Sequence, residues 1–541
     1  MSLAQSEAQV SRAMLSETAS WDRRFVWFLL VVSASALGYI LFLSPGLFPD
    51  EAYFWDLSRR LQLGYVEKPP LVNYLIRTTT AFFGDTELGV RFGAVLCFAA
   101  FSALAYALGR RVLDNARDAF VATALLTLTP MSAAARTIIT PDSLLIVAWT
   151  LILYGCHEAL LRSRSLWGWG LVSTGLAVGL MAKQTTILAL PCLAGCLAAT
   201  PEFRCWLRRP APYLAVGLGM LGLGPLLIWN ALNGWATVRH MLWQAHASEG
   251  LRVNLVSFAN FVGSQLLLLS PLLWIGLLAG MVWAGIRGIL GTSPVDAFLF
   301  WFSAPIIGFF LVKSVQGNTL GNWAAVAYIA GAYAMIRWFR ATLAVAASPW
   351  KARLRHLAWT TAGIAVAFML LAHDVSALAM LGIRQAVALD PLKEGMGWRE
   401  VGRAAGDAYA ALSKERPAVL MARRYQVASE LAFYTPGRPD VYNINWGRRQ
   451  NQYDLWEDLR TLVGVSAVFV DLHDPHSLSR LLTTFESCDR WPPIEIHRYG
   501  VRVRTFTVFA CRGYRGPDTP GARLAEGSRR SRGRDAHPGS L

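Results

Sequence analysis

The chain has 541 residues, of which 54% are hydrophobic and only 16% charged, with a formal net charge of +16. A soluble globular chain carries about 25% charged residues, and here charge-poor apolar runs near ~18 residues recur along most of the length, so the composition argues against a soluble protein and for many membrane helices. The basic residues are dispersed between apolar spans rather than clustered, which argues against nucleic-acid binding and for cytoplasmic loops that touch anionic lipid.

In chain order, residues 1–24 are polar and lead into the first apolar run without a cleavage signature, so they read as a cytoplasmic segment before a retained span. Spans are expected at 25–44, 88–108, 119–138, 143–161, 167–182, 184–200, 211–232, 257–286, 297–312, 321–339 and 357–377. That makes about eleven, with about thirteen as the upper count. Every second linker is basic: Arg23 and Arg24, then Arg110, Arg111 and Arg117, then Arg162 and Arg164, then Arg204, Arg208 and Arg209, then Arg287, and finally Arg337, Arg340, Lys351, Arg353 and Arg355. The positive-inside rule therefore puts the N-terminus in the cytoplasm. The other linkers (45–87, 139–142, 182–184, 233–256, 313–320 and all beyond 378) face outward and hold nearly all the unusual polar residues.

The membrane half is read as 25–382, and 383–513 as a small α/β domain. In it, Val463–Asp471 patterns as a buried strand, and Trp398–Leu412 and Val427–Tyr434 as helices. Residues 514–541, rich in Gly, Pro, Ser and Arg, read as a disordered basic tail. There is no internal repeat, GxGxxG or P-loop. Cys97, Cys156, Cys192 and Cys196 sit in apolar runs and Cys205 just beyond one, without a metal-binding spacing. Cys488 and Cys511 could pair if their domain lies outside the cytosol.

The first outward loop concentrates the candidate chemistry. Asp50-Glu51 follows an apolar span directly, where charge is costly unless solvated, paired or functional. Glu67-Lys68 is aimed by the stiff Pro69-Pro70 that follows. Tyr53, Phe54, Trp55, Leu57 and Leu61 suggest a helix lying on the membrane face between the two pairs. Asp142, after Thr140-Pro141, is either a helix cap or a catalytic acid. Lys183, at the tip of a tight hairpin, is either a snorkelling lysine or a fixed cation at the depth of a lipid phosphate. Arg239, His240 and His246 in one outward loop, and Lys313, Asn318 and Asn322 near the next, could together form an anion site.

The strings FPDEAYFWD (48–56), GYVEKPPLVNYLI (64–76), TPDSLLI (140–146), GLMAKQTTILALP (179–191) and GNWAAVAYIA (321–330) occur in this order. They resemble the GT-C type integral-membrane glycosyltransferases, in the branch that holds bacterial aminoarabinose transferases and protein O-mannosyltransferases. GWREVG (397–402), RRYQVASELAFYTPGRPDVY (423–442) and GRRQNQYDLW (447–456) look like the periplasmic domain of its bacterial members.

The resemblance implies a polytopic α-helical GT-C fold with a C-terminal periplasmic α/β domain, in a cell inner membrane. It implies a hexosyl- or pentosyltransferase that moves a sugar, with inversion, from a polyprenyl phosphate to a lipid, glycan or protein acceptor. Lys68 and Lys183, with Arg239 and His240 behind them, would hold the leaving lipid phosphate. Asp50 would be the general base; Glu51, Glu67 and Asp142 would orient the acceptor or the base, and Tyr53 and Asn322 belong to the same orienting group. A divalent cation is left open, with Asp50, Glu51 and Asp142 as its ligands if one binds. An acceptor that is itself a phosphate, as on lipid A, needs no strong base, and Asp50 would then only position it. A transporter or flippase is the alternative, although its ionisable groups belong near the bilayer midplane; a non-catalytic scaffold leaves the loop carboxylates unexplained.

Overall fold

The computed structural model describes residues 2–162, 166–244, 253–456, 458–472 and 477–517. Arg164, His246 and the tail beyond 517, all read from the sequence above, lie outside these residues. Among the described residues, seven helices are long and apolar enough to cross a membrane: Ser16–Phe42, Glu87–Val112, Pro141–Arg162, Pro210–Leu232, Pro271–Ile289, Pro294–Gln316 and Ser348–Ala372. Counting each of two bent helix pairs as one span brings the number to nine, and Leu166–Ala182 and Leu255–Leu269 are shorter apolar helices. The protein is a multi-span membrane protein.

Departures from the expected spans occur where the backbone cannot continue. The stretch read as 119–138 bends by 75° between Thr127 and Pro130. Pro130 disfavours a helical residue before it, and Thr129 caps the new helix by accepting from Ser132 N at 3.2 Å. The stretch read as 184–200 bends by 112° before Pro201 and turns back along Pro201–Arg208. The span read as 257–286 is two helices, broken at Ser270, whose φ of 76° lies in the left-handed region just before Pro271. The segment read as polar, 1–24, is helical from Ser2 and continuous with the first span.

The two classes of linker separate in space. Glu87–Val112 runs from Arg91 at one end to Arg110 and Arg111 at the other. At the arginine end, Arg110 pairs with Asp22, Arg111 with Glu158, Arg340 with Asp118, and Arg287 and Arg337 both with Asp296. At the opposite end the polar linkers gather beneath the C-terminal part.

That part holds one mixed sheet. Its strands are β1 (Ala418–Ala422), β2 (Val441–Asn443), β3 (Ser466–Leu472), β4 (Phe485–Arg490), β5 (Ile494–Arg498) and β6 (Val501–Tyr514), in the order β2-β1-β3-β6-β4 with β5 also on β6. The β1 pairings with β2 and β3 are parallel; β6 pairs antiparallel with β3, β4 and β5. Six of the seven residues of β3 are buried, as the apolar run predicts. Helices Trp398–Glu415 and Tyr425–Tyr434 occupy the expected places. Cys488 and Cys511, opposite each other on β4 and β6, form a disulfide.

The helix of the first loop, Pro49–Arg59, does not lie on the membrane. Tyr53, Phe54, Trp55 and Leu57 are buried in one cluster with Val427, Leu431, Val468 and Phe506 of the C-terminal part, while Leu61 is exposed. Burying such side chains is worth about 1.5–3 kcal/mol each, which fastens the C-terminal part onto the loop. Tyr434 adds a polar clasp: its hydroxyl accepts from Leu47 N at 2.7 Å and donates to Glu87 at 3.0 Å.

Candidate active site

Asp50 and Glu51 are adjacent but have different surroundings. Glu51 has no solvent exposure, and Arg91, 1% exposed, meets it at 2.6 Å. Arg91 Nε also donates to both oxygens of Glu51 at 3.0 Å. Phe48 N and Ile139 N each donate to the same carboxylate at 3.0 Å. The rest of the guanidinium goes to Ser44 Oγ and the carbonyls of Pro45 and Gly46. A buried ion pair is tolerated when its remaining hydrogen-bonding capacity is met in this way. Glu51 therefore ties the end of the first span, the loop helix, the span Glu87–Val112 and the segment before Pro141 together. Its oxygens are thus occupied and enclosed.

Asp50 sits in the first turn of the loop helix and is exposed; it accepts from the Tyr425 hydroxyl at 3.2 Å. Lys68 lies over the Phe54 ring, its Nζ 4.1 Å from the centroid. Burial lowers the Lys68 ammonium from its ordinary value; Asp50 opposes this most, Lys183 adds to it, and Asp142 and Glu67 oppose it further. Asp50, Lys68, Lys183, Asp142 and Glu67 thus share one electrostatic neighbourhood.

Glu67 Oε2 accepts from the Tyr53 hydroxyl at 3.0 Å, while its Oε1 is buried without a hydrogen-bond partner. Burial pushes the Glu67 carboxyl up to about 7, against the Tyr53 hydrogen bond and the charges of Arg449 and Lys68. Tyr53 is itself held by Gln452 N, which donates to its oxygen at 3.1 Å, and its ring lies 4.5 Å from Tyr425 and 5.8 Å from Tyr453.

Asp142 does not cap its helix; Thr140 is the N-cap. Instead Asp142 accepts from Lys183 Nζ at 2.7 Å and from Asn322 Nδ2 at 3.1 Å. Three loops far apart in sequence meet in this contact, and Lys183, 17% exposed, is a held cation and not a free snorkelling lysine. Helix Ala236–Gln244 is drawn to the first loop by Thr237, whose hydroxyl donates to Tyr65 O at 2.9 Å. Burial, with the positive charges of Arg449 and Lys68 behind it, lowers the His240 imidazole to about 4. His240 is therefore neutral near pH 7 and offers a hydrogen bond, not the fixed charge expected of it. Arg239 is exposed and makes no ion pair among the described residues. Asn318 is exposed, and Lys313 stacks on Trp323 with its Nζ 5.4 Å from the ring.

The trio Asp50, Glu51 and Asp142 does not form a metal cage. Glu51 is filled by Arg91 and backbone amides, and Asp142 by Lys183 and Asn322. Among the described residues, no group of three or more His, Cys, Asp or Glu side chains could hold a metal ion.

A family model described as dolichyl-phosphate-mannose-protein mannosyltransferase matches residues 67–229. A protein named lipid A galacturonosyltransferase RgtD, from Rhizobium johnstonii, is 29% identical over 312 residues, covering 56% of this chain and 63% of its own. An undecaprenyl phosphate-alpha-4-amino-4-deoxy-L-arabinose arabinosyl transferase from Serratia proteamaculans is 25% identical over 330 residues, covering 57% and 59%. The chain thus spans 63% and 59% of the lengths of these two relatives. The fold matches the crystal structure of ArnT from Cupriavidus metallidurans bound to undecaprenyl phosphate, with a TM-score of 0.60 at 17% identity, over 91% of this chain and 98% of that one. The chain shares the fold of that structure.

Within this GT-C architecture, several residues around the site were not singled out from the sequence. Arg91 left a signal, since a charge inside an apolar span is a functional or structural anchor by default. Tyr425, Arg449, Gln452 and Tyr453 come from the C-terminal part, and only the basic-aromatic strings RRY and GRRQNQY mark them.

Proposed function

We propose that the protein is an inverting glycosyltransferase that moves a sugar from a polyprenyl phosphate to a lipid acceptor of the lipid A class, at the outer face of the cytoplasmic membrane. One observation carries this reading: an exposed carboxylate, Asp50, stands in the same electrostatic neighbourhood as two lysines, Lys68 and Lys183, at one end of a membrane bundle. The names of the two relatives, a lipid A galacturonosyltransferase and an undecaprenyl-phosphate aminoarabinose transferase, support the donor and acceptor classes.

In the proposed step the bond from the anomeric carbon to the lipid phosphate breaks, and its electron pair leaves with the phosphate oxygen. Lys68 and Lys183 hold that charge. The acceptor oxygen forms the new bond from the opposite face of the ring. An acceptor hydroxyl gives its proton to Asp50; an acceptor phosphate is already ionised, and Asp50 then positions it. Asp142 and Asn322 fix Lys183, and Glu51 with Arg91 fixes Asp50. Glu67 and Tyr53 border the acceptor side.

We place the N-terminus and the arginine pairs in the cytoplasm and the site and the C-terminal part in the periplasm. The basic linkers support this orientation, as does the Cys488–Cys511 disulfide, which suits an oxidising compartment. We divide the chain near Gly382, whose φ of 90° ends the turn Val375–Leu381, into a membrane half at 25–382 and an α/β domain at 383–513. The test is transfer by the purified protein from an undecaprenyl-phosphate sugar to lipid A. Asp50→Asn and Lys183→Ala should fold and lose transfer; full activity in both removes the residue assignment. The relatives' names span an acidic sugar and an amino sugar, so the charge of the transferred sugar is the next question.

A further inference from the structure

Between the last long apolar helix and the sheet, the chain makes an excursion with inverted polarity. It consists of the helical turns Val375–Leu381, the left-handed Gly382 and the short helix Gln385–Leu389, which pack on each other. Its polar side chains are tied into the base. Asp390 is fully buried and accepts from Ser376 N at 2.8 Å, from the Ser376 hydroxyl and from Leu392 N at 2.9 Å. Asp374 accepts from Ala377 N at 3.1 Å. The exposed residues are apolar: Met380 is 72% exposed, Leu381 78%, Ile383 50% and Leu389 78%. A water-facing loop is built the other way round, with its polar groups outside, because apolar surface left in water is costly.

The level of the excursion says what covers it. Helix Ser348–Ala372 is one of the seven long enough to cross a membrane, and the excursion starts just beyond its end. The Tyr39 hydroxyl donates to His373 O at 3.3 Å, and the two rings meet edge to face at 5.0 Å. His373 is therefore level with Tyr39 of the first span. That span runs on to Phe42, about 4–5 Å further outward, and Leu41 and Phe42 still present exposed apolar side chains there. The chain thus leaves its last span at a depth where the first span still faces lipid. Arg384, at the tip beside Ile383, is exposed and makes no ion pair among the described residues. A cation so placed can reach up to lipid phosphates while its stem stays among apolar groups.

The excursion is also fastened to the sheet. Arg498 and the Tyr499 hydroxyl, where β5 turns into β6, donate to Asp374 at 2.6 and 2.7 Å. We propose that Met380, Leu381, Ile383 and Leu389 insert into the leaflet on the side of the candidate site, between the headgroups and the first acyl carbons, so that the lipid surface itself seats the C-terminal part. This inference stands on the membrane fold and does not depend on sugar transfer.

The test uses the full-length protein in nanodiscs, in a Cys205→Ser background that removes the one exposed free cysteine; the other four are buried. Leu381→Cys, Leu389→Cys and Lys414→Cys each carry the same environment-sensitive fluorophore. Lys414, exposed near the C-terminal end of helix Trp398–Glu415, serves as the reference. Emission from positions 381 and 389 should be shifted to the blue of position 414. It should be quenched by lipid with a nitroxide on the upper acyl chain and protected from aqueous iodide. Quenching by iodide at 381 and 389, equal to that at 414, overturns the proposal in favour of a water-facing loop. Protection from both quenchers overturns it in favour of a protein partner or a second copy of the chain. Equal lipid quenching at all three positions overturns it as well, since the tip would then lie no nearer to lipid than the reference.

Discussion

Replacing Glu51 by Gln separates a positioning role from a catalytic one. The substitution keeps the shape and removes the charge that answers Arg91, which is 1% exposed and, among the described residues, has no other acid at contact distance. Breaking one partner of a buried, hydrogen-bonded pair costs about 3–5 kcal/mol, because the remaining charge stays buried. The Gln amide also turns N–H groups toward Arg91 or toward the Phe48 and Ile139 amides, which need an acceptor. The expected result is a large drop in thermal stability, read by intrinsic tryptophan fluorescence in detergent, together with lost activity. Asp50→Asn, one residue away and exposed, should lose activity with a stability change within about 0.5 kcal/mol. The double variant Glu51→Leu/Arg91→Met should recover part of the stability. It cannot recover all of it, since the two amides and the carbonyls of Pro45 and Gly46 lose their partners. A Glu51→Gln protein that melts with the wild type and is inactive would refute this reasoning and return Glu51 to the catalytic set.

Further outcomes follow from the same geometry. Lys68→Ala and Lys183→Ala should each lower kcat by about 10²–10³-fold, the usual loss when one fixed charge-stabilising group is removed, as measured by release of polyprenyl phosphate. Glu67 links stability to pH. Its folded pKa of about 7 lies above the ordinary 4.5, so the stability it contributes is fully present below about 4.5 and is lost as pH rises through about 7. Melting curves across that range should fall with pH in the wild type and flatten in Glu67→Gln. The Cys488–Cys511 disulfide closes a separation of 23 residues, worth about 3 kcal/mol on the chain-entropy model, so reductant should lower the melting of the C-terminal part and leave Cys488→Ser/Cys511→Ser unaffected.

Local features were legible in the sequence. The alternating arginine linkers sorted the loops into two sets, and in the structure Lys68, from one set, feels the charges of Asp50, Glu67, Asp142 and Lys183 from the same set. A continuous apolar run marked β3. Contacts between distant segments were not legible. Nothing local tells that Tyr425 will reach Asp50, or that the aromatic face of the loop helix will be roofed by Tyr425–Tyr434 instead of lipid. Both surfaces want an apolar neighbour, and hydrophobicity alone does not choose between lipid and protein. The neutral state of His240 depends on burial and on Arg449, some two hundred residues away in sequence. The break at Ser270 was hidden because hydropathy is continuous across it while the backbone is not.

On the proposed function, the chain transfers a sugar to an envelope lipid, using Asp50 and the two lysines. Mass spectrometry of lipid A from a deletion strain tests it most directly. Deletion should remove one sugar mass, restored by the wild-type gene and not by the Asp50→Asn gene. Lipid A of unchanged mass in the deletion strain, with the gene known to be expressed in its parent, would contradict it.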